Sequence, residues 1–178
     1  MNASLTHPLI AFYRDGARDD AGRTLDQILM WDDDRLESIH DFIQWLFPLS
    51  ERSGANPSAP VLDAATVAAF EDTRVMREHL RAALDRMLRF YGLAWDAGAS
   101  TPTLLLAPNF ADRARNWLSL TNHNHLRLTR ILRSTRLLGL ATESSALFAA
   151  LDAIYREFPD RITPRTFAFW VDAAETVG

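Results

Sequence analysis

Asp32 to Phe47 reads DDDRLESIHDFIQWLF. Its apolar residues Leu36, Ile39, Ile43, Leu46 and Phe47 recur every three or four positions, which is the period of an amphipathic helix. Phe42 widens the same stripe. Three aspartates, Asp32, Asp33 and Asp34, fill the opening turn, where the positive end of a helix dipole favours them. Pro48 disfavours helical backbone at Phe47, so the helix is predicted to stop there. On this helix His40 and Gln44 stand four apart and stack on one flank as a polar pair. Asp41 is expected in solvent. Trp45 points nearly opposite Leu36. Burial under another helix is expected, because Pro48 turns the chain back; exposed, it would be an interaction anchor.

Helical signals continue on both sides. Thr24 with Gln27 three residues later is a capping-box pattern opening TLDQILMW. Residues 50–61, SERSGANPSAPV, read as a loop. Asp63 caps an Ala-rich helix, AATVAAF. A longer helix runs from about Thr73 to Tyr91, with Met76, Leu80, Ala83, Met87 and Tyr91 on one stripe and Gly92 just past its end. Residues 93–108 are irregular, and TLLLAP within them is a short strand or a buried loop. Asn109 to Leu118 is helical. So is TNHNHLRLTRILRSTRLL, closed by Gly139. Thr142 starts another helix with Leu147, Leu151, Ile154 and Tyr155 inward. Thr163 and Pro164 cap and open a last one. No convincing two-residue alternation and no internal repeat is present. The fold predicted is all-α, an irregular bundle of about seven helices in a single domain over residues 1–178.

Composition narrows the function classes. A chain of 178 residues, 48% hydrophobic and 24% charged, can bury a real core. FIQWLFPL is far too short to cross a bilayer, so no transmembrane segment is expected. The N-terminus lacks a basic stretch and a clean cleavage site, and no signal peptide is expected. The absence of cysteine excludes disulfides, thiol catalysis and Cys-ligated zinc, and suits a cytoplasmic protein. All 19 basic residues are Arg. With the high Ala content this points to a GC-rich bacterial genome rather than to a function. Residues 1–72 hold 13 acids and 5 Arg, residues 73–140 hold 4 acids and 11 Arg, and residues 141–178 hold 6 acids and 3 Arg. Acidic and basic segments facing each other in one fold explain this better than a basic patch. The acidic pI of about 5.7 argues against a dedicated nucleic-acid binder.

The motifs that carry chemistry are few. The glycines form neither a phosphate loop nor a dinucleotide fingerprint, and GxSxG and HExxH are missing. No cofactor and no metal are expected. His123 and His125 resemble a chelating pair, but residues two apart on a helix diverge by about 200°. On the 126–138 helix, Leu128, Ile131, Leu132, Thr135 and Leu138 share a face. Leu126 and Leu137 lie on the far side with Arg130 and Arg133, which predicts burial on more than one side. His123, Arg127 and Arg130 share a flank near the helix start, where Asn122 and Asn124 add amides. Together these five residues make a candidate site for a carboxylate or phosphate. The plainer expectation, ranked ahead, is that Asn122 caps the helix and the arginines pair with acids from residues 15–41.

Together the segments resemble the N-terminal domain of the opioid growth factor receptor family. The resemblance rests on FYR at 12–14, HDFIQWLFPL at 40–49, MLRFYG at 87–92, NW at 116–117, HNHLRLTRILRS at 123–134 and LGL at 138–140. They occur in the family's order and cover roughly residues 8–175. The resemblance implies a helical, non-enzymatic domain. Animal members are described as receptors for methionine-enkephalin, associated with the nucleus and with growth inhibition. Those members carry a C-terminal extension with repeats and basic import signals. The sequence to Gly178 has neither, and nuclear import is not expected of it. A Lys-free version suggests a prokaryotic member. No set of ligand-contacting residues comes with the resemblance.

Three functions follow in order. The first is a binding domain for a peptide or protein, with His40, Gln44, Trp45, Asn122, His123, Asn124, Arg127 and Arg130 as candidate ligand residues. The second is an enzyme on an anionic small molecule with His40 or His123 as acid/base, lacking any nucleophile or metal set to complete it. A nucleic-acid binder using residues 73–140 ranks last, because the arginines spiral around their helices.

Overall fold

The computed structural model describes residues 6–175. Among them are ten helices and one two-stranded sheet. In order these are α1 (Pro8–Asp15), α2 (Leu25–Leu29), α3 (Asp33–Ser38), α4 (Ile43–Leu46), α5 (Ala64–Asp72), α6 (Arg74–Tyr91), β1 (Leu93–Trp95), β2 (Leu104–Leu106), α7 (Phe110–Trp117), α8 (Asn124–Leu137), α9 (Ala141–Glu157) and α10 (Pro164–Glu175). None of the described helices is long and apolar enough to cross a membrane. The chain forms two compact units, residues 1–83 and 84–178.

In the first unit α1 packs against α5. Tyr13 carries this contact. Tyr13 meets the Phe70 ring edge-on at 4.9 Å, and its hydroxyl donates to the Leu46 carbonyl. Burial raises the Tyr13 pKa, so the phenol stays neutral and serves as a donor. The helix α1 begins at Pro8, a residue preorganised for a first turn, and ends at Gly16 with φ +68°. Sequence patterning does not distinguish this helix.

The continuous helix expected over 33–47 is not formed. Helix α3 ends at Ser38, and Ile39 is extended at φ −100°, ψ 134°. Helix α4 then spans Ile43 to Leu46. In an unbroken helix the Asp41 carbonyl would accept from Trp45 N–H. Instead Asn56 Nδ2 donates to that carbonyl at 3.0 Å, and Trp45 N–H goes to Phe42 at 3.0 Å. Most of the apolar stripe is buried all the same: Leu36, Phe42, Leu46 and Phe47 are fully covered, while Ile39, at the break, is half-buried.

In the second unit α8, α9 and α10 pack on one another, and α9 contacts β2. Residues 93–108, expected to be irregular with a short strand or buried loop at TLLLAP, contain an antiparallel hairpin pairing Leu93 with Leu106 and Trp95 with Leu104, so TLLLAP supplies a strand. Three-residue strands are too short to display alternation. Helix α6 ends in Gly92 at φ +76°. A Cβ there would lie 2.8 Å from the Phe110 Cα, so glycine permits both the turn and the approach of α7. Helix α8 was expected to be buried on more than one side; Leu126, placed on its far side, is instead 66% exposed.

Candidate functional site

The residues singled out by sequence fall into both units. In the first, His40 is exposed within the break between α3 and α4. Gln44 is buried, and its Nε2 donates to Ser53 Oγ at 3.3 Å. The break removes the predicted same-flank stacking of these two residues. Trp45 is buried as expected, its indole donating to Asp20 Oδ1 at 2.9 Å and its ring lying 5.3 Å from Phe12. Asp41, expected in solvent, is 47% exposed at its side chain and also accepts from Arg23 at 2.8 Å.

In the second unit His123 is exposed at the N-cap of α8. Asn122, expected to cap the helix, lies one residue before that N-cap and accepts from the Asn124 N–H at 2.9 Å. Its amide donates to the Asn116 carbonyl and Ser119 Oγ at 2.9 and 3.1 Å. Arg127 is buried and donates to Asn124 Oδ1 at 3.1 Å, while Arg130 is partly buried. Thus Asn122, Asn124 and Arg127 form a chain of internal hydrogen bonds. His125 is in the core, its Nε2 donating to the Trp117 carbonyl at 3.0 Å and its ring edge-on to Trp170 at 5.6 Å. Burial lowers its pKa, with the Trp117 bond opposing and the charge of His123 adding to the fall. The exposed His123 and the core His125 therefore occupy different environments.

A concave feature lies elsewhere, in the first unit. A cleft of about 550 Å³ is lined by Arg18, Gly22, Arg23, Asp26, Gln27, Met30, Trp31 and Arg35. Its construction is local at one end. The capping box anchors α2: Thr24 N–H donates to Gln27 Oε1 at 2.9 Å, and Gln27 N–H to Thr24 Oγ1 at 3.3 Å. The preceding turn is held by Asp19, whose carboxylate accepts from the N–H groups of Ala21 and Arg23 and from Arg23 Nε at 2.7 Å. Arg23 also reaches Asp41. Burial works against the Arg23 charge, yet the hydrogen bonds to Asp41 and Asp19 carry its pKa upward. This arginine is therefore a neutralised strut.

Trp31 is 8% exposed and braced by the Phe42 ring at 5.6 Å. The guanidinium carbons of Arg35 and Arg23 lie 4.5 and 5.4 Å from its centroid, within cation–π range. Arg18 Nη1 donates to the Gly22 carbonyl at 2.5 Å. Among the described residues neither Arg18 nor Arg35 is paired with a carboxylate, and both are exposed. Met30 is 85% exposed, and Asp26 stands four residues before it on the same flank of α2. The cleft thus combines two cations without anionic partners among the described residues, one carboxylate, an aromatic wall and an exposed thioether.

Sequence reasoning missed this cleft. Residues 1–72 carry an excess of eight acids, which hides three arginines that line one cleft, two of them over one tryptophan. The only available signal was Arg23, Trp31 and Arg35 interleaved with turn residues, and that pattern becomes a site only when the chain folds back.

The family described as the opioid growth factor receptor conserved region matches residues 10–156. The chain is similar to the mouse opioid growth factor receptor, 43% identical over 67% of this chain and 19% of that protein. It is similar to the human opioid growth factor receptor, 38% identical over 85% of this chain and 23% of that protein. It also resembles a mouse opioid growth factor receptor-like protein 1, 35% identical over 65% of this chain and 24% of that protein. The chain thus spans about a fifth to a quarter of the length of these curated relatives. No solved structure matches it. A match over 147 of 178 residues, joined to the mostly helical fold, shows that this chain belongs to the opioid growth factor receptor family.

Proposed function

We propose that this chain is a non-enzymatic binding domain for a peptide or protein ligand, with the Arg18–Arg35 cleft as its binding face. The observation that carries the reading is the cleft itself: a volume in the range of small-ligand sites, one aromatic wall and charged side chains beside a hydrogen-bonded turn. The relatives' name, opioid growth factor receptor, supports a peptide as the ligand class. The polar residues at the start of α8 bond among themselves, which favours a structural role there over an anion site. His40 and His123 are both exposed, a poor setting for tuning an acid/base pair, so the enzymatic reading has less support. The cysteine-free composition fits action in the cytoplasm.

The test is a titration of the isotope-labelled chain with methionine-enkephalin and with a random pentapeptide library, followed by amide and indole chemical shifts. Saturable shifts clustered on residues 18–35 are expected. If neither methionine-enkephalin nor the library moves any resonance, the binding reading is wrong.

A further inference from the structure

Resting on that reading, we infer that the cleft takes a carboxylate-bearing peptide segment, the carboxylate held by Arg18 and Arg35 and an adjoining apolar side chain set against Met30 and Trp31. Four features support it, and one opposes it.

Charge comes first. Of the three cleft arginines, Arg23 is already answered by Asp19 at 2.7 Å and Asp41 at 2.8 Å. Arg18 and Arg35 lack such an answer among the described residues, so they are available to an incoming anion. Asp26 is the opposing charge and leaves the lining with a net balance of one positive charge once Arg23 is set aside. That balance favours a single carboxylate over a multiply charged group such as a phosphate.

Geometry comes next. Arg35 lies over the Trp31 ring at 4.5 Å. Stacking on an aromatic face restrains a guanidinium without consuming its N–H donors, which remain in the plane for a carboxylate. The ordering cost normally paid by a long exposed side chain on binding is therefore reduced.

Apolar surface is the third feature. Met30 is 85% exposed at the end of α2, beside the buried Trp31. A flexible thioether at a cleft rim adapts to side chains of different shape. Size is the fourth: about 550 Å³ admits a few residues and no folded domain.

The experiment uses three pools of pentapeptides. One has free C-terminal carboxylates and no Asp or Glu. The second has the same composition but amidated C-termini. The third is amidated with Glu at the central position. Each is titrated into wild type and into Arg18→Gln and Arg35→Gln, with the Trp31 indole and Arg35 side-chain resonances followed. Both substitutions are at exposed positions, and an unchanged amide spectrum away from the cleft verifies folding. The two carboxylate pools are expected to shift the Trp31 resonance, and the neutral pool to act about tenfold more weakly. Each arginine variant is expected to remove most of that difference, and the free-acid and Glu pools distinguish a chain end from a side chain as the source. Equal shifts from neutral and carboxylate pools would overturn the carboxylate inference while leaving peptide binding intact. Stronger shifts with inorganic phosphate than with acetate would overturn it in favour of phosphate. Shifts confined to residues outside 18–35 would remove the cleft from the function, and silence from all pools would end both readings.

Discussion

His125 shows how a residue that looks like a metal ligand becomes a core donor. Its Nε2 is committed to the Trp117 carbonyl, and burial depresses its pKa below the ordinary value of 6.5. A depressed folded pKa means that the unfolded chain binds the proton more readily. The stability that His125 contributes is complete above about pH 6.5 and is lost as pH falls toward the folded value. Urea midpoints of wild type should therefore drop between pH 7 and pH 5, and His125→Gln, which keeps a donor, should drop less; equal slopes would remove His125 as the cause. Trp45 gives a second test at this scale. Trp45→Phe loses the bond to Asp20 and should cost about 1 kcal/mol. Trp45→Ala also empties a buried site and should cost about 3–5 kcal/mol in the same urea titration. A neutral Trp45→Ala would instead mark Trp45 as a partner-binding residue.

At the scale of elements, the glycine closing α6 differs from the one closing α1. Gly16 has φ +68°, and a methyl group added there would meet no neighbouring atom within 4 Å. Gly16→Ala should therefore cost only backbone strain, about 1–2 kcal/mol. At Gly92 the same strain is joined by a 2.8 Å approach to the Phe110 backbone. Adding overpacking of about 1–3 kcal/mol, Gly92→Ala should be clearly the more destabilising in thermal unfolding. Equal losses would show that α7 yields freely. The break between α3 and α4 has a comparable origin. The period of 32–47 is helical and its apolar residues other than Ile39 are buried, yet Asn56 takes the Asp41 carbonyl and Arg23 takes its carboxylate. The hydrophobic stripe was readable, but its continuity was not.

For the whole molecule, α6 is the common element. Its first half supplies Met76 and Leu80 to the first unit, and its second half supplies Leu84, Met87 and Tyr91 to the second. A helix fixed by core residues along its full length should open as one piece. Native-state hydrogen exchange is expected to give amides on either side of Ala83 a common opening free energy. Two separate values, split at Ala83, would mean that the halves of the helix open independently. The charge segregation along the chain is a feature at the same scale. Its acid-rich first segment nonetheless holds the cleft with two arginines that pair with no carboxylate among the described residues, so net charge over a long segment did not indicate the charge of the site within it.

Residues 24–31, 63–72, 74–92 and 163–175 were readable because their signals close within about one turn. Thr24 meets Gln27, Asp63 meets Thr66 N–H at 2.7 Å, and Thr163 meets Thr166 N–H at 3.0 Å, each three residues away. Family membership was readable for a related reason, since it rests on short runs kept in order. The break at Ile39, the hairpin of β1 and β2, and the cleft belong to the other class. The break and the cleft depend on Asn56 reaching Asp41 across 15 residues, Arg23 reaching it across 18, and Arg23 and Arg35 meeting on one tryptophan, and the hairpin depends on Leu93 pairing with Leu106. Local hydrogen bonds can be inferred from spacing, because the helix fixes where each neighbour points. Partners that meet only after the chain turns back have no fixed spacing, and their position is set by tertiary packing.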